Sequence, residues 1–471
     1  MFKKRKTIVL ILTCSLVLSL LPNIHSYASK AGAKNELNRN FAQADPYIDQ
    51  MNQLKSSFLP QTVYYFSTSG SDSNDGLSAS TPKQNPVPYI SAGNCKCLLK
   101  SGDVFSFQDS INVGTYLVLS TYGGSTRAGL SFIINSDDQL KLSDPQNSIY
   151  SLSLNSHNPD TGWISIDGEI YWKRLLSNSL TKDKEYYVDK TSHMLYIKST
   201  SKNLEGKTVR YSLANNGLSI INRQKVLIEN MEIAGAGSHG ISIMQSSSVL
   251  VNNCYIHDIG GSIHASSGKK YGNGIQIWAN NCNDIGIYKN IITNCFDAGL
   301  TTQIGDTQQA SSTNHYFVNN LVESCCYGFE CFHTSKNYPL QNVVVSNNIF
   351  SDMRDITEGY RLTVSSTDYI AFLCLWDYVN PNSNILIDHN FGYKSQGFAI
   401  SYSWKDAITP PISFSANTLI STAGEINYPQ HYTGDASQYA VVGASSAEAK
   451  KYQRLTKTLS AAYSKKMLIK P

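Results

Sequence analysis

One short phrase recurs between residues 217 and 425, and it leaves few folds open. GISIM (240–244), GIQIW (274–278), GLTTQ (299–303), GFECF (328–332), AFLCL (371–375) and GFAIS (397–401) are variants of one alternating strand. After most of them comes a second strand that closes on asparagine, at Asn290, Asn320, Asn348, Asn390 and Asn417. These asparagines fall 30, 28, 42 and 27 residues apart, and the long step marks an inserted loop around Arg354–Tyr369. Two earlier turns, VLIENMEI and VLVNNCYI, carry Asn230 and Asn253 one place sooner.

A period near thirty residues built from short strands predicts a solenoid. One coil cannot bury its apolar face alone, whereas stacked coils share a core and pair their backbones in parallel ladders. Asparagine tolerates left-handed backbone and bonds locally, so a column of stacked amides is expected at one turn of each coil. Strand alternation places Cys331 and Cys374 in one inward column with Ile243, Ile277 and Ile400. The fold class expected is all-β.

The 471 residues, 41% hydrophobic and 16% charged, suffice for one large core or two domains. Lys3, Lys4, Arg5 and Lys6 precede an apolar run from Ile8 to Leu21, and Ser26 and Ala28 offer a cleavage site. That pattern reads as a signal peptide over 1–28 and a secreted, extracellular protein, with no later run apolar enough to span a membrane. Those four cations account for the whole excess of 39 Lys+Arg over 35 Asp+Glu. A neutral mature chain excludes the basic surplus of a nucleic-acid binder. Nine cysteines remain after Cys14, without zinc-type spacing, and read mostly as small buried apolar side chains.

Coils of Gly-aliphatic-x-aliphatic, then a strand ending in Asn, then a short strand resemble the pectate-lyase-like right-handed parallel β-helix superfamily. The segment VYYFSTSGSDSNDGLSASTP (63–82) is similar to the opening of many of its secreted polysaccharide-active members. The resemblance covers roughly 62–425 and implies a single-stranded right-handed parallel β-helix with a small β insertion and helical terminal segments. The organisation expected is a linker or short helix over 29–61, a cap and first coils over 62–139, and an inserted β subdomain over 140–212. Regular coils then occupy 213–425, and a helical, basic tail or cap follows over 426–471.

The resemblance also implies that substrate lies along the outer face of the first sheet, walled by the preceding loops. With Ile275 and Ile277 inward, alternation turns Gln276 and Trp278 outward, and with them Thr301, Gln303, Glu330 and Phe332. Two outward columns are expected, Ser242/Gln276/Thr301/Glu330 and Met244/Trp278/Gln303/Phe332, with rungs about 4.8 Å apart. Aromatic faces, amides and a carboxylate suit an extracellular polysaccharide; the alternative is that loops cover the sheet and bury Trp278 and Phe332 as core.

Glu330, mid-strand and beside Phe332, is the candidate general acid, its pKa raised by burial. Asp297 is its candidate partner, provided the loop bends it inward, because four extended residues set the two further apart than the roughly 5–10 Å of a glycosidase. Asp258, Asp284 and Asp377 are the other candidates. His239, His257 and Asn273 complete the expected sugar-binding set. Hydrolysis needs no cofactor. A lyase acting on a uronate would instead need a base and positive charge or calcium, for which His264, Lys269, Lys270, Tyr271, Arg354 and Arg361 are at hand. A third reading is a non-catalytic glycan-binding or matrix protein. A monomer is expected.

Overall fold

The structure is a computed structural model. It describes residues 47–443 except 59, 61, 155–159, 177–178, 265–267, 306, 308, 358–369, 377–379, 404–411, 416, 422–423 and 428–438. The expected signal peptide, linker residues 29–46, tail residues 444–471 with their expected helix, and Arg361 and Asp377 lie outside the described residues.

Each coil contributes one strand to each of three sheets. Ile241–Met244, Ser247–Asn252 and Tyr255–Ile259 make one coil, and Ile275–Trp278, Asn283–Tyr288 and Ile291–Cys295 the next. Successive coils pair in parallel, as in Ile241↔Ile275, Ser247↔Asn283 and Tyr255↔Ile291. Among the described residues nine strands stack in the first sheet and ten in each of the others. The inward column Ile241, Ile275, Leu300, Phe329, Leu373 and Ile400 is fully buried. Each such side chain contributes roughly 1.5–3 kcal/mol of transfer energy.

The expected cysteine column needs correction. Cys331 does share its column with Ile243 and Ile277, through Thr302. Cys374 instead registers with Glu330, and Ile400 belongs to the neighbouring inward column. The strand is Ala371–Trp376, and Ala371 pairs with Tyr327, so Phe372 stands level with Gly328. Gly392 makes room for that ring, since a Cβ there would lie 2.6 Å from Phe372 Cδ2. A slip of one residue exchanges the two faces of a strand. The nine described cysteines are all buried free thiols.

The asparagine column runs the length of the second turn. Asn290 Nδ2 donates to Asn320 Oδ1 (3.1 Å), Asn320 to Asn348 (3.0 Å), Asn348 to Asn390 (3.0 Å) and Asn390 to Asn417 (2.9 Å). Each of these oxygens also accepts the backbone N–H of the asparagine one coil earlier. The left-handed backbone falls one residue before, at Lys289, Asn319, Asn347 and His389, with φ between 52° and 58°. Asn230 and Asn253 occupy that left-handed position and bond to each other at 2.6 Å, with Met231 and Cys254 in the ladder place. The ladder asparagines are therefore selected for their buried amides, which satisfy backbone groups that a tight turn would orphan.

The inserted subdomain is an eight-stranded sheet running from Ile133 to Leu213, seven residues earlier than expected at its start, with its own apolar core. The parallel ladder also continues past 425, where Tyr439–Gly443 pairs with Asn417–Ser421 in the third sheet. The short helix Ile48–Ser56 lies over the outside of the second sheet, burying Met51 against Leu250, Tyr288 and Val318. Gly286 permits the approach, because a Cβ there would stand 2.8 Å from Met51 Sδ.

Candidate active site on the first sheet

Both expected outward columns are present. Ser242, Gln276, Thr301 and Glu330 are successive register partners, as are Met244, Trp278, Gln303 and Phe332. Cys374 and Trp376 extend the two columns by one coil. Glu330 is 7% exposed, and Thr301 beside it is fully buried. Glu330 Oε2 accepts from Thr301 Oγ1 at 2.9 Å and from Gln303 Nε2 at 2.7 Å. Gln303 Oε1 in turn accepts from Gln276 Nε2 at 3.5 Å. A carboxylate, a hydroxyl and two amides thus form one chain of hydrogen bonds across three coils, flanked by the half-buried rings of Trp278, Phe332 and Trp376. Trp376 went unread in the sequence because AFLCL was aligned one residue out of register. The recurrence of an aromatic in the column of Trp278 and Phe332 was the signal that could have found it.

The other candidates are placed differently. Asp297 heads the strand Ala298–Ile304, half-buried, and its carbonyl accepts from Cys326 N–H. The strand is extended from Ala298 on, so Asp297 lies four residues, about 13 Å of backbone, along the strand from Thr301, the partner of Glu330. Asp284 belongs to the second sheet, where it accepts from Asn314 Nδ2 at 2.7 Å. Neither it nor Asp258 reaches the first sheet's outer face.

His239 and Asn273 build a second ladder, at the corner where the chain enters the first sheet. His239 N–H donates to Asn216 Oδ1 (3.2 Å), Asn273 N–H to His239 Nδ1 (3.1 Å) and Ala298 N–H to Asn273 Oδ1 (3.0 Å). As an acceptor at Nδ1, His239 must be neutral with its proton on Nε2. Burial, and then the neighbouring His264, push its pKa down to about 3. The ring meets Tyr271 edge-on at 5.1 Å, and Tyr271 Oη lies 2.7 Å from Ser238 Oγ.

His257 is not brought to the groove. It lies on Tyr255–Ile259 of the third sheet, fully buried, between Asp258 Oδ2 (2.6 Å) and Glu232 Oε1 (3.2 Å). Burial alone would push the imidazole down, but the charges and hydrogen bonds of the two carboxylates outweigh it and raise the pKa to about 9. The parallel register Ala234↔His257↔Thr293 makes this segment strand.

Two of the described cations considered for elimination are engaged. Lys270 is buried with Nζ donating to Lys173 O at 2.8 Å, and Arg354 faces Asp352 at 3.6 Å. Calcium calls for six to eight oxygen ligands with several carboxylates. Glu330 is the one carboxylate of the two described outward columns, so these residues do not fit that ion. Two concavities lie elsewhere, about 680 Å³ near Phe107 and about 270 Å³ under the first helix; the Glu330 face carries the more convergent chemistry.

The three stacked sheets define a parallel β-helix, and residues 193–372 match the family model described as a right-handed beta helix region. Sequence comparison with curated proteins gave no match. Among solved structures, a protein titled glycoside hydrolase is 9% identical, with 83% of this chain and 100% of that one covered and a TM-score of 0.41. A pectate lyase is 12% identical (83% and 78% covered, TM-score 0.44), and a lacto-N-biosidase from Eubacterium ramulus 11% (86% and 70% covered, TM-score 0.38).

Proposed function

We propose that this is an exported enzyme that cleaves glycosidic bonds of an extracellular polysaccharide lying across the outer face of the first sheet, with hydrolysis ahead of β-elimination. The observation that carries the reading is Glu330: a mid-strand carboxyl, 7% exposed, on the outward face and hydrogen-bonded by Thr301 and Gln303. A buried carboxylate in a strand has no role in strand pairing, whereas a proton donor to a glycosidic oxygen needs such a shielded and oriented setting. In this reading Glu330 passes its proton to the leaving oxygen while Trp278, Phe332 and Trp376 hold sugar faces. Asp297 is the proposed second carboxyl, at the lip. Its backbone offset of about 13 Å along the strand exceeds the carboxyl separation of both retaining and inverting enzymes, so the pairing requires the Asp297 side chain to reach toward Glu330.

The experiment is turnover and affinity of the full chain and of Glu330→Gln on plant, algal and bacterial polysaccharides. New reducing ends that vanish in the variant while affinity persists support the reading. Ultraviolet-absorbing unsaturated products would move it to elimination. Binding with no turnover in either protein would leave a glycan-binding protein in its place.

A further inference from the structure

We propose that the inserted subdomain positions Asp297 through the hairpin formed by Ser262–Ile263 and Lys270–Tyr271, and that Asp160 and Lys173 are the residues by which it does so. The consequence for turnover rests on the polysaccharide reading above; the link itself does not. In the hairpin Ser262 pairs with Tyr271 and Ile263 with Lys270, and both strands are tied to the insertion. Ile263 N–H donates to Asp160 Oδ2 at 2.7 Å, and Lys270 Nζ donates to Lys173 O at 2.8 Å. Asp160 and Lys173 are joined in turn, with Lys173 Nζ donating to Asp160 Oδ1, and both are buried. Burying such a pair costs about as much desolvation as it returns in attraction, so stability is a poor reason for it and a fixed geometry a better one.

A seam of glycines carries the same link through the backbone. A Cβ on Gly162 of the insertion would stand 2.3 Å from Gly260 O, and a Cβ on Gly260 would stand 2.8 Å from Gly272 Cα. Insertion, loop and hairpin exit therefore pack backbone on backbone, where a shift in one layer moves the next. Beside the seam, Trp163 Nε1 donates to Asp258 O at 3.1 Å and anchors the insertion on the third sheet. The far layer holds Asp297. Gly272 O accepts the Asp297 N–H at 3.0 Å, and Asn273 Oδ1 accepts the Ala298 N–H at 3.0 Å. Asp297 O accepts the Cys326 N–H at 3.0 Å, just before the strand Tyr327–His333 that carries Glu330. The side chain of Asp297 must reach toward Glu330, so a small shift of its backbone bears directly on the pairing of the two carboxyls.

The test is amide hydrogen exchange and turnover of the full chain in two variants. Asp160→Leu combined with Lys173→Met replaces the buried pair by apolar side chains, which keeps stability near that of the parent while removing the acceptor of Ile263 N–H. Lys270→Met breaks the second tie from the hairpin side. Each variant should speed exchange about tenfold at Ile263 and Asp297 and leave Ile349, whose N–H bonds to Asn320 O, unchanged. Turnover on polygalacturonate, alginate, xylan or β-glucan, wherever the parent shows it, should fall about tenfold with affinity within about twofold. Faster exchange at Ile263 with Asp297 unmoved overturns the inference, because the hairpin then transmits nothing. Faster exchange throughout, with a lower melting temperature, overturns it as well, since the pair is then a stability element alone. A loosened Asp297 with unchanged turnover is the third contrary result. A parent without turnover on any polymer ends the enzyme reading, and the exchange pattern still decides whether the insertion holds Asp297.

Discussion

The outer faces of the first and third sheets each carry buried acidic side chains, and they use them in opposite ways. On the third sheet, His257 is sealed between Glu232 and Asp258, Asn294 Nδ2 donates to Asp258 Oδ1, and Trp163 of the insertion donates to the Asp258 carbonyl. Charge meets charge there, and the inserted subdomain closes over the cluster. On the first sheet, Glu330 accepts from a hydroxyl and an amide, and the chain of amides ends in Gln276 Oε1, which has no hydrogen-bond partner in the protein. Burial of an ionisable group therefore does not itself mark a site. The contrast that matters is whether the protein completes the polar network or leaves an end for something else.

The largest expected effect separates the two faces by function. Glu330→Gln should lower turnover by about 10²–10⁴-fold, the usual contribution of a general acid, while thermal unfolding stays near that of the parent. His257→Gln should do the reverse, costing about 3–5 kcal/mol of stability because two carboxylates lose their buried partner, with polysaccharide affinity unchanged in the folded fraction. Denaturant unfolding and binding isotherms on the same two variants check both halves. If His257→Gln abolished turnover without loss of stability, the contrast would be broken.

The third-sheet cluster should also show itself in pH dependence. The folded pKa of His257 lies at about 9, above the ordinary value of 6.5, so its contribution is full below about pH 6.5 and is lost as pH rises through 9. Melting temperature should fall across that window in the parent and fall less in His257→Gln. A smaller change tests the frame that both faces share: Asn320→Ala removes ladder bonds to Asn290, Asn348 and Ile287 O, and should cost about 2–4 kcal/mol. The smallest expected effect sharpens the first-sheet reading alone. Trp278→Ala and Trp376→Ala should each weaken oligosaccharide binding about tenfold, as loss of one stacking surface, with little change in stability.

Much of this was legible in the sequence, for a physical reason. The repeat of Gly-aliphatic-x-aliphatic fixes which residues face inward, so Gln276, Thr301 and Glu330 could be placed side by side before any coordinates. Parity failed where the glycine was replaced: Phe372 took the place level with Gly328, and the reading of Cys374 and Trp376 slipped with it. The fate of His257 was hidden because its partners lie far apart in the chain, Glu232 one coil earlier and Trp163 in the insertion. Asp160 is a similar case, with Oδ2 accepting from Ile263 N–H across 103 residues and Oδ1 from Lys173 Nζ, so that the insertion braces the loop entering the groove. No local pattern announces such contacts. His239 and Asn273 looked like ligand groups because they are polar and near the groove, yet their acceptors serve backbone N–H groups in the corner ladder.

The most direct test of the whole account is a crystal structure of Glu330→Gln soaked with oligosaccharides from its best polymer. Sugar rings laid over Gln276, Thr301 and residue 330, flanked by Trp278 and Trp376, are the expected result. Sugar bound at another face, with the first sheet bare or sealed by the chain's own loops, would contradict it.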